Sequence, residues 1–141
     1  MSSRAEHVPA VPEGREADPA EARRVAETLA EFVLQAARDE ELGARVRRAA
    51  TSLHVHVGDD AGVTVRLDRT PVEAVARIEG VAEVELWLAP DVLLSCARGE
   101  RPLQMAIMDG DVTFRGPVRK LLMVVPVLRT FDTSVWARRH E

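Results

Sequence analysis

The chain has one cysteine, Cys96, one lysine, Lys120, and no long apolar run. A single cysteine excludes an intrachain disulfide and leaves the redox compartment open. No window approaches the roughly 18 apolar residues that a membrane span needs. The start lacks the basic and apolar segments of a secretory signal, and the ending Arg138-Arg139-His140-Glu141 is not a peroxisomal address. A cytoplasmic protein is the expectation. Arginine supplies nearly all the positive charge, dispersed along a chain of net charge −4. Nucleic acid requires a concentrated positive patch, so it is not an expected partner. Phosphate loops, dinucleotide fingerprints and the Gly-Xaa-Ser-Xaa-Gly elbow are missing too. No sequence repeat is evident.

What is present reads as one domain of 141 residues, large enough to bury a core without metal or disulfide. Residues 1–17 are rich in Pro, Glu, Ala and Ser and are expected to be a disordered tail. Residues 18–131 form the domain, and 132–141 a second tail. Asp18 suits an N-cap, Pro19 the first helical position and Glu21 the third. Val25, Leu29, Phe32, Val33 and Ala36 then make one helical stripe. The register shifts near Asp39–Glu41, and Leu42, Val46 and Ala49 continue on a second short helix or a bent extension of the first.

The period then becomes two. Leu53, Val55 and Val57 alternate with Ser52, His54 and His56. Residues 58–62 are a hairpin connection, and Val63, Val65 and Leu67 form the return strand. Residues 72–79 predict a third, weaker strand, and Val84, Leu86 and Leu88 a fourth. One face is apolar and the other polar, which predicts helices on one side only. Asp91 caps a short helix carrying Leu93, Leu94 and Cys96, closed by Gly99. Val112 and Phe114 mark a fifth strand after the Asp109-Gly110 turn. Gly116-Pro117 opens a last helix that is apolar nearly all round, in which Pro126 should cause a kink or an end.

The stretch from Asp91 to Phe131 resembles the sterol carrier protein-2 family. The resemblance rests on Asp91-Val92-Leu93-Leu94, Gly99, Pro102 with Ala106, Asp109-Gly110-Asp111-Val112, Gly116 and Leu121-Leu122, in that order and spacing. The run Arg115 to Leu122, followed by Val125-Pro126-Val127-Leu128, is similar to actinobacterial single-domain members. The resemblance implies an α+β fold, a five-stranded, mainly antiparallel sheet with helices on one face. It also implies a hydrophobic tunnel for a fatty acid, acyl-CoA, sterol or other lipid, and no covalent chemistry or cofactor.

The residues expected to line that tunnel are Phe32, Leu86, Leu88, Leu93, Leu94, Met105, Met108, Leu121, Leu122, Val125 and Leu128. Met105, Met108 and Met123 suit a site that accepts several apolar shapes, because methionine is flexible and polarizable. Plain core burial competes with this for each residue. A helix apolar on every side needs a second thing to bury against, which a ligand, a partner chain or deep burial would supply. Leu122→Glu is therefore expected to bury an unpaired charge and to damage both binding and fold.

Three alternatives stay open: an enzyme acting on a hydrophobic intermediate in the same pocket, a homodimer, and transient membrane contact. No catalytic residue is assigned. His54 and His56 share a side of their strand, with Glu83 or Glu85 as candidates for the same face. Alternation places only two of the three metal ligands, so a solvated face and no metal are expected. Cys96 lies beside Leu93 and Leu94 with no histidine near in sequence, and reads as packing. Trp87 falls on the polar face, as either an interface residue or one folded over its neighbours.

Overall fold

Asp18 opens the first helix by accepting a hydrogen bond from the Ala20 amide at 3.1 Å, the N-cap geometry that satisfies an otherwise unpaired donor. The computed structural model describes residues 18–59 and 61–129, with the side chains of 41, 42, 45, 46 and 124–129 outside the description. Both expected tails, with His7, Trp136 and His140, lie outside the described residues. Helix α1 spans Pro19–Arg38 and α2 Glu40–Ala49, separated at Asp39. The strands are β1 Ser52–Val57, β2 Ala61–Arg66, β3 Glu73–Val75, β4 Val84–Leu88 and β5 Val112–Arg115. Helices α3 Pro90–Ala97 and α4 Leu103–Met108 lie between β4 and β5, and α5 spans Val118–Arg129.

The sheet order is β3-β2-β1-β4-β5. Three pairings are antiparallel and one, β1 with β4, is parallel. Register puts Leu53 beside Val65 and Val84, Val55 beside Val63 and Leu86, and Val57 beside Leu88. These side chains share one face, and all are buried in one core with Val25, Leu29 and Phe32 of α1. Strand alternation and the α1 stripe meet there as the sequence predicts.

The parallel pair has a geometric consequence. A parallel connection cannot be a hairpin; it must cross the sheet. The chain leaves β3 at one edge and re-enters as β4 on the far side of β1. The face of apolar side chains is covered by α1, so residues 76–83 cross over the polar one. Their backbone groups are met by side chains of that face. Thr64 Oγ1 donates to the Arg77 carbonyl at 2.7 Å and accepts from the Glu79 amide at 2.8 Å. Ser52 Oγ accepts from the Glu83 amide at 3.0 Å. Arg66 donates to the Val81 and Glu79 carbonyls.

This crossing corrects several expectations. The third strand is three residues rather than 72–79, because the remainder pairs with side chains instead of a strand. The polar face is not solvated: Ser52, His54 and Thr64 are buried. Gly62 belongs to β2, opposite His56, rather than to the turn. A Cβ there would lie 2.6 Å from Ile78 Cδ1 of the crossover, so the close cover of Ile78 accounts for a glycine within a strand. Gly116 has a similar role at the other edge. Its φ is +126°, and a Cβ would fall 2.3 Å from the Glu83 carbonyl oxygen.

Two helix expectations also change. The third helix starts at Pro90, with Ala89 as N-cap; Asp91 lies in its first turn and accepts from the Val92 amide. Proline at the first helical position explains the earlier start, since its missing N–H has no helical partner in any case. Helix α5 runs through Pro126 to Arg129, so Pro126 does not end it.

Candidate functional site

Two regions carry the residues singled out by sequence, one on each face of the sheet. On the apolar side, Phe32 of α1, Leu86 and Leu88 of β4, Leu93 and Leu94 of α3, and Leu121 of α5 are all buried in the common core. Met105 and Met108 of α4 and Leu122 of α5 are not: they are 47%, 78% and 53% exposed. Val125 and Leu128 lie in α5, with side chains outside the description. Val118 and Met123 add to the exposed apolar surface of α5. Helix α5 packs on α2 and α3, and α4 on β5. The α4 and α5 helices thus bury Leu103, Ala106 and Leu121 while presenting Met105, Met108, Leu122 and Met123 outward.

A cleft of about 320 Å³ lies elsewhere, lined by Leu34, Ala37, Arg38, Arg47, Thr70, Pro71 and Val72 at the edge of α1, α2 and β3. None of the residues expected from sequence lines it. Cys96 is half-buried in α3. Burial pushes its thiol up from the ordinary value, against a weaker opposing pull from Arg101. A raised thiol is a poor nucleophile at neutral pH. Arg101 itself is committed to Asp109 and Asp111, at 2.8 and 2.6 Å.

On the polar side, register sets Thr64, His54, Glu85 and Arg115 in one row, and Gly62, His56, Trp87 and Thr113 in the next. His54 Nδ1 lies 3.1 Å from Glu85 Oε1, and its Nε2 lies 2.9 Å from the Glu79 carbonyl. His56 stacks on Trp87 with ring centroids 4.8 Å apart and planes 4° from parallel. The Arg115 guanidinium sits over the Trp87 ring and pairs with Glu85 Oε2. Trp87 is therefore buried, folded over its neighbours rather than presented as an interface.

The hydrogen bonding of this row follows from its partners. A carbonyl only accepts, so His54 Nε2 carries a hydrogen. Burial raises the Glu85 carboxyl, but the hydrogen bond from His54 and the charge of Arg115 outweigh it and hold the group below its ordinary value. Burial holds His56 below its ordinary value, against the pull of Glu85. Alternation identified His54 and His56 as neighbours; the pairing of β1 with β4 chose Glu85 over Glu83.

Comparison with known proteins places this geometry in a family. The SCP-2 sterol transfer family matches residues 30–129, well over half of the chain. The chain belongs to that family. Among curated proteins, none matches it in sequence. Solved members share the fold at low identity. The sterol carrier protein domain 2 of Helicoverpa armigera is 12% identical with a TM-score of 0.65, covering 82% of this chain and 93% of that one. Sterol Carrier Protein 2 Like 2 of Aedes aegypti is 13% identical with a TM-score of 0.60, covering 74% and 97%. The UbiJ-SCP2 ubiquinone synthesis protein is 20% identical with a TM-score of 0.54, covering 82% and 93%. The expected SCP2-like α+β fold is thus the observed one. As in the expectation, no helix among the described residues is long and apolar enough to cross a membrane.

Proposed function

We propose that this chain binds a lipid-like molecule, without covalent chemistry, at the outward apolar surface of α4 and α5 and the core leucines behind it. Family membership supports binding or transfer of an apolar cargo in general. The observation that carries the site is the apolar surface left outward on α4 and α5 by Met105, Met108, Leu122 and Met123, on helices that bury Leu103, Ala106 and Leu121. A bound chain would bury that surface and gain about 0.8 kcal/mol per methylene, less translational and ordering costs. In this reading the buried leucines form the floor and the methionines form an adaptable mouth.

An enzyme in the same pocket is less well supported. The titratable cluster of His54, His56 and Glu85 lies on the opposite face of the sheet from the core. Native mass spectrometry of protein purified from its own host tests the proposal. The expected spectrum contains a non-covalent apolar ligand that organic solvent removes. The stripped protein should then take up a fluorescent fatty acid or sterol. A ligand-free protein that binds neither probe overturns the reading. The same spectra separate a cargo from a second copy of the chain as the partner covering α4 and α5.

A further inference from the structure

The polar face of the sheet holds a second arrangement unrelated to an apolar cargo. One ring nitrogen each of His54 and His56 and a Glu85 carboxylate oxygen lie within 4.8 Å of one another. Glu85 Oε1 is 3.1 Å from His54 Nδ1 and 3.7 Å from His56 Nε2. A tetrahedral ion with bonds of about 2.0–2.1 Å sets its ligands roughly 3.3 Å apart, between those two values. The third edge, between the two histidines, is bounded only by the 4.8 Å spread of the cluster, so the imidazoles close in on each other when they enclose an ion.

Three further observations point the same way. His56 Nε2 is buried and finds no hydrogen-bond partner among the described residues. An unsatisfied buried polar atom is destabilising, and ligation would remove that cost. His54 gives its far ring nitrogen to the Glu79 carbonyl at 2.9 Å. That bond fixes the tautomer whose Nδ1 can ligate, the outer-shell pattern typical of metal-bound histidine. Arg115 holds Glu85 through Oε2, which leaves Oε1 facing the two histidines. The His56 side chain is 22% exposed, so the cluster borders solvent.

We propose that His54, His56 and Glu85 bind one divalent transition-metal ion of the zinc and cobalt class, with His54 through Nδ1, His56 through Nε2 and Glu85 through Oε1. Three protein ligands leave a further coordination position for water or an added group. Through His54 and Glu79 the ion is also tied to the crossover at residues 76–83. Two imidazoles and a carboxylate select borderline ions over magnesium or calcium, which prefer all-oxygen sites.

The stack of His56 on Trp87 supplies the readout. Bound cobalt(II) should quench Trp87 fluorescence in the full-length chain carrying Trp136→Phe, after treatment with a chelator. Saturation is expected at one equivalent with a micromolar dissociation constant, reversed by the chelator. His56→Phe keeps an aromatic ring against Trp87 and removes the nitrogen. It and Glu85→Gln should each weaken binding by at least about tenfold, while His7→Ala and His140→Ala leave it unchanged. Zinc should raise the melting temperature of the parent and not of His56→Phe. No saturable quenching at micromolar cobalt, or quenching that survives His56→Phe, overturns the site.

Discussion

Removing the His54 ring tests how much the crossing segment contributes to stability. The ring is buried and bonded at both nitrogens. Its loss leaves Glu85 with Arg115 as charge partner and strips the Glu79 carbonyl of a donor. In chelator-treated protein, His54→Ala should cost about 2 kcal/mol, read as a drop of roughly 1–2 M in the urea midpoint. An unchanged midpoint would mean that the crossover holds without the ring. Cys96 gives a prediction of the opposite kind, an unreactive residue. Its raised thiol makes alkylation slow in the folded chain. Native protein should label more slowly than urea-unfolded protein, with a rate still rising at about pH 9, since only the thiolate reacts. Fast native labelling at neutral pH would contradict the burial.

The contrast at the scale of the element is within α5. Leu121 is 4% exposed and Leu122 is 53%. The expectation that Leu122→Glu buries a charge is therefore corrected: the new carboxylate would be solvated. Leu122→Glu should shift stability by no more than about 0.5 kcal/mol while weakening fatty-acid or sterol binding severalfold. Leu121→Ala should cost about 2–4 kcal/mol. Urea denaturation and probe titration on the same two variants separate fold from site. If Leu122→Glu leaves probe binding intact, the α4–α5 surface is not the mouth. Sequence made the helix itself plain, from Gly116-Pro117 and the apolar run. It did not divide that run, because an all-apolar helix has no periodic contrast to mark which side meets the core. The early end of β3 was illegible for a related reason. Residues 76–79 alternate no worse than an edge strand, and only the side chains waiting on β1 and β2 show that their backbone is satisfied without a ladder.

For the whole molecule, the question is how far a short sheet can be covered on both faces. Helices cover one side, as alternation implied. The other is covered by eight residues of crossover, 76–83, which bond to Ser52, His54, Thr64 and Arg66. Sequence by itself determined the helix start at Asp18 and Pro19, the apolar face of β1, β2 and β4, and the turns at Gly99 and Gly110. Each of these follows from local sterics and from the periods of strand and helix. Tertiary structure alone decided that β1 lies parallel to β4. That pairing sends the chain across the polar face, buries His54 and Trp87, and brings Glu85 to the two histidines. Strand order is a long-range choice among pairings that look alike locally, so alternation along one strand does not reveal it.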